Sequence, residues 1–301
     1  MKLLVVGSVA LDTIESPAGR VEEALGGSAA FFAAAASFFA PVRLVATVGD
    51  DLADAHVDKL RGRGIDLAGL HRTPGRTFRW AGRYSDDFSR RETLFTELGV
   101  FQHFRPTLPD DYRDADLVFL GNIDPELQGE VLAQVKEPVL VAADTMNFWI
   151  AGKPHELEKV LARIDILMIN DEEARQLARE HNLVRAVGRI RKLGPRTVIV
   201  KRGDSGAMML GADGPFVVPA FPLHDVVDPT GAGDTFAGGF MGELARAGET
   251  QGRILRRAAL AGAALGSFCV EGFGMERILG LGHADIIARM RDLRDLMQVE
   301  A

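Results

Sequence analysis

The chain has 301 residues, 47% of them hydrophobic, which is enough for one large α/β domain with a substantial core and excludes a disordered chain. Its formal net charge is −7, from 35 basic and 42 acidic residues, and the basic ones are dispersed, which excludes a nucleic-acid footprint. A single cysteine, Cys269, excludes an intrachain disulfide and a thiolate metal cluster; it reads as a buried small hydrophobe in a reducing, cytoplasmic protein.

In chain order, Leu3–Val6 is too short for a signal segment and reads as a first strand, followed by Gly7-Ser8-Val9-Ala10-Leu11-Asp12. That turn lacks the second and third glycines of a dinucleotide fingerprint. Asp12–Leu25 breaks the later alternation and reads as extended. Ala29–Ala40, the longest apolar stretch, is an Ala/Phe-rich helix ended by Pro41; it falls short of the roughly 20 residues a membrane helix needs, so no membrane partner is expected. Strand-length apolar runs recur at Arg43–Val48, Leu117–Leu120, Pro138–Ala143, Ile164–Ile169 and Thr197–Val200. Helical spacing falls at Ser28–Phe39, Ala53–Arg63, Glu126–Gln134, His155–Arg163, Asp171–Glu180 and Val184–Leu193. Such alternation predicts βαβ units and a mostly parallel sheet covered on both faces. Thr77–Glu97 differs, because Phe78, Trp80 and Tyr84 recur with the period of two that marks strands. Three more helices are expected after a glycine loop near residue 231, and no linker or repeat divides residues 1–301 into separate domains.

That loop, Asp228-Pro229-Thr230-Gly231-Ala232-Gly233-Asp234-Thr235-Phe236, carries the chemistry. Backbone N–H groups of Gly231, Ala232 and Gly233 crowd around a phosphate only where no bulky side chain intervenes, and the helix that follows adds unpaired donors and the positive end of its dipole. Asp234 then stands beside the bound phosphate. A carboxylate there repels phosphate unless it has a task, such as taking the proton of an attacking hydroxyl, so the loop points to phosphoryl transfer. Taken alone, Asp234 reads equally as a helix cap.

The motif D-P-T-G-A-G-D-T-F-A-G-G-F resembles the C-terminal signature of the ribokinase-like (PfkB) kinases of sugars and nucleosides. Gly26-Gly27, Asn170-Asp171-Glu172-Glu173 and Lys201-Arg202-Gly203-Asp204-Ser205-Gly206-Ala207 extend the resemblance, in that family's order, over nearly the whole chain. It implies a three-layer α/β/α sandwich with a mostly parallel sheet and a small β lid over the acceptor, here about residues 12–25 and 77–97. It also implies ATP and Mg²⁺ as cofactors. Asp234 would be the base, with Gly231, Ala232 and Gly233 as the anion hole. Asp12, Gly26 and Gly27 would bind the acceptor, and Asn170 and Glu173 would organise Mg²⁺ through water. Lys201, Gly203, Asp204 and Gly206 would lie along the nucleotide, with Lys201 replacing the family's usual Thr. Asp228 and Thr230 match positions that hold a monovalent cation, which leaves K⁺ dependence open.

Other readings stay open beside these. Gly26-Gly27 also suits a helix entry, and Asn170 with Glu173 three residues on suits a capping box. Phe31 stands where the family usually has a sugar-reading Asn; it is expected to pack on a flat part of the acceptor and raises a purine nucleoside kinase beside a sugar kinase. Asp144-Thr145-Met146-Asn147-Phe148-Trp149 only loosely resembles the family's D-x-N-x-R, and its aromatics suit either core or base stacking. His224 reads as structural, since the seven histidines lack metal-ligand spacing. Phe78 and Trp80 suggest a homodimer paired through the lid edge. The reading from another class is an idle nucleotide- or sugar-binding module, which the intact Gly-Ala-Gly-Asp opposes.

Overall fold

A run such as Leu3-Leu4-Val5-Val6 has no polar alternate residue, so as a strand it needs cover on both faces. The computed structural model, which describes residues 1–298, supplies that cover. Strands β1 (Leu3–Val6), β2 (Ala10–Ser16) and β3 (Gly19–Gly26) lead into α1 (Ser28–Ala36). There follow β4 (Val42–Gly49), α2 (Asp54–Gly62), β5 (Asp66–Thr73), β6 (Phe78–Tyr84), β7 (Arg91–Glu97), β8 (Leu117–Leu120), α3 (Pro125–Leu132), β9 (Leu140–Asp144) and α4 (Asn147–Gly152). Then come α5 (Pro154–Leu161), β10 (Ile166–Asn170), α6 (Asp171–Ala178), α7 (Leu183–Arg191), β11 (Thr197–Lys201), β12 (Ala207–Gly211) and β13 (Gly214–Val218). The helices α8 (Ala232–Ala247), α9 (Arg253–Cys269), α10 (Glu276–Leu279) and α11 (His283–Leu296) follow.

Nine strands form one sheet in the order β13-β12-β11-β10-β9-β8-β1-β4-β5. From β11 to β5 every pairing is parallel; β12 and β13 add an antiparallel edge. Strand alternation sorts the core. Leu3, Val5, Phe119 and Met168 face a cluster with α1, α8 and α9, whereas Leu4, Val6, Val118 and Leu167 face one with α3, α5 and α7. Asp144, Asn170 and Lys201 each end a strand on the α1–α8 side by the same period, since Ala142, Met168 and Ile199 two residues earlier belong to that cluster.

A second sheet, β3-β2-β6-β7, joins two hairpins through the parallel β2–β6 pair. Its strands coincide with the two stretches expected to be extended. Asp51 anchors it to the body, accepting from Thr77 N at 2.7 Å and from an Arg79 guanidinium nitrogen at 2.6 Å, while Arg79 also holds Glu23. Edge strand β5, the β12–β13 hairpin and α4 were not foreseen, and α10 makes the helices after the loop four rather than three.

Helices α1, α8 and α9 approach closely because small residues line their contacts. A Cβ on Gly238 would stand 2.2 Å from the Phe32 carbonyl oxygen, and one on Gly239 2.9 Å from that of Ala261. Phe32 in turn stacks on Phe119 of β8 at 4.4 Å, so α8 is held at a set height over the sheet. Gly238→Ala is expected to lower stability by about 1–3 kcal/mol through overpacking, read as a lower melting temperature; an unchanged transition would show that α1 and α8 separate freely.

Candidate active site

Gly231 precedes α8 with φ 75°, a left-handed conformation that glycine adopts without strain, and a Cβ there would stand 2.5 Å from the Phe31 ring. The loop therefore rests on Phe31. The ring is 2% exposed, so it serves as the floor of the loop and offers no face for an acceptor to stack on, contrary to expectation. Ala232 N donates to the Pro229 carbonyl at 3.3 Å, whereas the N–H groups of Gly231 and Gly233 have no backbone acceptor among the described residues. Of the three N–H groups expected to meet an anion, those of the two glycines thus stay free, at the positive end of a 16-residue helix.

Asp234 lies in the first turn of α8. Burial, and then the charge of Asp144, push its carboxyl up to about 7, against the opposing pull of Lys201. Asp12, at the β2 end of the same crevice, is pushed up to about 8 by burial and by the charges of Asp228 and Asp234. Its carboxylate explains Gly26, where a Cβ would stand 1.9 Å from Asp12 Oδ2. Gly27 has φ 95°, and a Cβ there would stand 2.5 Å from the Ser8 carbonyl oxygen. Ser8 and Ser28 exchange hydrogen bonds at 3.0 and 3.2 Å and pin this turn to α1.

Asn170 and Glu173 form the anticipated capping box: Glu173 N donates to Asn170 Oδ1 at 2.7 Å, and Asn170 N to Glu173 Oε2 at 3.0 Å. Burial first, and then Asp144, raise the Glu173 carboxyl to about 7. Among the described residues no three His, Cys, Asp or Glu side chains gather into a metal cage. A magnesium ion carried in on a nucleotide would keep most of its water, and Glu173, whose Oε2 accepts from Asn170 N, would have Oε1 left for one such water. Lys201 reaches under the loop and pairs with Asp144 at 2.7 Å. Gly203, Asp204 and Gly206 form the turn after β11; Gly203 and Asp204 are exposed, while Gly206 is fixed by the backbone, a Cβ there lying 2.1 Å from the Val218 carbonyl oxygen.

Asp228 is fully buried and accepts Thr230 N at 2.8 Å and Gly274 N at 3.0 Å. Burial raises its carboxyl against those two bonds. Met by two N–H groups and the Thr230 hydroxyl, the buried carboxylate keeps oxygen lone pairs that a monovalent ion would fit. Thr230 meets the lid: its Oγ1 lies 3.0 Å from the Tyr84 hydroxyl, and Ser16 Oγ donates to the Val227 carbonyl at 2.7 Å. Cys269 lies beneath, donating to the Thr230 carbonyl at 3.5 Å, its thiol pushed up to about 12 by burial.

The remaining expectations part company with the structure. His224 is exposed rather than built into the core. Of the two aromatics that suited core or base stacking, Phe148 is 62% exposed, whereas Trp149 is half-buried and its Nε1 donates to Asn122 Oδ1 at 3.1 Å. Phe78 stacks on Phe101 at 5.6 Å, and the Trp80 ring folds over Gly82; the exposed apolar residues of the lid are Leu94 and Phe95 on edge strand β7. Asp144, Tyr84 and Gln128 were missed as site residues. Register could have flagged the first, which ends the strand beside Asn170's.

Residues 2–278 match the family of pfkB carbohydrate kinases. The chain belongs to that family. It is 31% identical over 262 residues to a cytidine kinase of Thermococcus kodakarensis, covering 85% of this chain and 91% of that one. It is 32% identical to an ATP-dependent ribose-1-phosphate kinase of Halopiger xanaduensis, covering 82% and 87% of the two chains. Among solved structures, the nucleoside kinase of Methanocaldococcus jannaschii superposes with TM-score 0.78 at 21% identity, covering 97% of this chain and 99% of that one. Arabidopsis thaliana ribokinase with ribose and ATP does so with TM-score 0.78 at 23% identity, covering 96% and 98%. The fold is the ribokinase fold, and the protein is an ATP-dependent phosphotransferase acting on the hydroxyl of a sugar or nucleoside. No helix among the described residues is long and apolar enough to cross a membrane.

The buried acids make stability depend on pH. Asp12 goes from 3.8 to about 8 on folding, so between those values the folded chain binds the extra proton and stability falls as pH rises. We expect the melting temperature of the ligand-free protein to decline from about pH 5 to pH 8.5, and Asp12→Asn to flatten that decline. An unchanged slope would show that Asp12 is solvated in the folded state.

Proposed function

We propose that the protein is a nucleoside kinase that moves the γ-phosphoryl group of ATP to a primary ribose hydroxyl, with Asp234 as the base. The observation that carries this reading is the half-buried Asp234 carboxylate in the first turn of α8, one residue after Gly233, whose N–H is free. In the transfer, the hydroxyl oxygen bonds to the γ-phosphorus as the bond to the β–γ bridging oxygen breaks, ADP leaves with that electron pair, and Asp234 takes the hydroxyl proton. Gly231 and Gly233 stabilise the charge on the phosphoryl oxygens, and Ala232 completes the turn that holds them. Asp12 and the Gly26-Gly27 backbone orient the acceptor. Magnesium, held through water by Glu173 and Asn170, neutralises phosphate charge. Gly203, Asp204 and Gly206 border the nucleotide.

For the acceptor, register supports a base. Trp80 pairs with Asp12 in the parallel β2–β6 ladder, so both side chains leave the lid sheet on one face. The indole thus rises from the same lid face as the carboxylate expected to read a hydroxyl, with its ring lying over Gly82. The likeness to a cytidine kinase over most of the chain points the same way. Tyr84 on Thr230 ties the lid to the loop, which suits exclusion of water from the γ-phosphate. A potassium ion at Asp228 and Thr230 would supply the missing countercharge. Homodimerisation fits the lid too, through Leu94 and Phe95, 38% and 43% exposed on edge strand β7, and a reducing cytosol suits the one buried thiol.

An ADP-release assay with Mg²⁺, with and without K⁺, tests the acceptor. Cytidine or a purine nucleoside should turn over and free ribose or fructose should not; the reverse would assign a sugar kinase. Asp234→Asn should lower turnover about 10²- to 10⁴-fold while affinity for a non-hydrolysable ATP analogue stays within about 3-fold, and unchanged turnover would remove Asp234 from the mechanism.

A further inference from the structure

Parallel strands β9, β10 and β11 end side by side, and their last residues Asp144, Asn170 and Lys201 leave the sheet on the α8 side. Lys201 is 17% exposed and Asp144 8%, and the ammonium donates to Asp144 Oδ2 at 2.7 Å. An ammonium has three N–H donors, and among the described residues Asp144 is its one acceptor, so two donors remain. Its stem runs along Gly233: Cδ, Cε and Nζ lie 3.6, 3.5 and 3.0 Å from where a Cβ on that glycine would stand. The absence of that Cβ opens the path that brings the charge beneath the anion loop.

Asp144 is itself held in place. Its Oδ1 accepts Thr145 N at 2.8 Å, and its carbonyl accepts Gln128 Nε2 at 3.0 Å. The same amide nitrogen bonds the Gly121 carbonyl at 2.9 Å, so Gln128 ties the ends of β8 and β9 together. A buried ion pair is weak evidence of stabilisation, because an apolar pair of like volume folds as well, so retaining one beside an anion loop points to chemistry. Burial disfavours the ammonium, yet the carboxylates of Asp144, Asp234 and Glu173 hold its pKa above the ordinary lysine value, which keeps it charged at every pH at which the enzyme would work.

We infer that Lys201 is a catalytic residue that grips the transferring phosphoryl group from beneath Gly233, and that Asp144 is the positioning residue that aims it. This rests on the kinase reading above. Lys201 stays protonated throughout; the hydroxyl proton still goes to Asp234 and the bond electrons to ADP. Its two free donors face the phosphoryl oxygens as charge spreads over them, and its charge offsets the repulsion of three carboxylates toward ATP.

The test is calorimetric binding of Mg·ADP to the full chain, with and without aluminium fluoride as a stand-in for the transferring phosphoryl group. The wild-type chain should bind ADP at least about 10²-fold more tightly with aluminium fluoride. Lys201→Met should lose about 10²-fold of that gain and Asp144→Asn about 10-fold, with affinity for ADP alone little changed. In turnover, both should lower kcat and leave the acceptor KM in place. Because Lys201→Met strands a buried carboxylate, the charge-free double variant Lys201→Met/Asp144→Asn serves as a control for folding, and it should turn over no faster than Lys201→Met alone. Variants that keep the aluminium fluoride gain, or a double variant restored to wild-type turnover, would reduce the pair to a structural salt bridge. No tightening in the wild-type chain would overturn the phosphoryl-site reading itself, and this assignment with it.

Discussion

A site for a polyanion has here been stocked with acids. Asp12, Asp144, Glu173 and Asp234 converge on the carboxyl ends of the sheet, together with one lysine ammonium. Together they would repel a bound phosphate chain. Burial and mutual repulsion push the carboxyls of Asp12, Glu173 and Asp234 into the neutral range, so without ligand part of that charge is neutralised by protons. Lys201 and the positive end of α8 offset more. The same electrostatics that makes a carboxylate a usable base near neutral pH thus also lets an anion approach.

Everything else in the fold serves to hold that cluster still. The height of α8 over the sheet is set by glycines against α1 and α9, and the loop before it lies on Phe31. Asp228 clamps the loop from below through Thr230 N and ties it to Gly274, while Tyr84 touches it from the lid. Thr230 is therefore shared by the Asp228 clamp, the glycine loop and the lid. One residue links closure to the assembly of the donors that would meet the phosphate.

Much of this was legible in the sequence, and the failures have physical reasons. Strands buried on both faces read as unbroken apolar runs and were placed within a few residues, while edge strand β5 and the β12–β13 hairpin carry mixed residues on partly solvated faces and were missed. The glycine loop declared itself because its conformation demands glycine. Phe31 misled, because a helix as uniformly apolar as Ser28–Ala36 has no polar face from which to tell which side meets a ligand. The Lys201–Asp144 pair joins residues 57 positions apart and becomes visible only once strand order is known. Tyr84 and Thr230, 146 positions apart, are a second such case.

The central claim is that Asp234, half-buried at the start of α8, takes the acceptor's proton. The most direct test is the pH dependence of kcat/KM for the best acceptor between about pH 5 and 9 with Mg·ATP in excess. The carboxyl must be ionised to act, so activity should rise with pH through a midpoint near 7 and then level off. A profile that is flat across that range, or that falls as pH rises through 7, would show that no carboxylate at this position acts as the base.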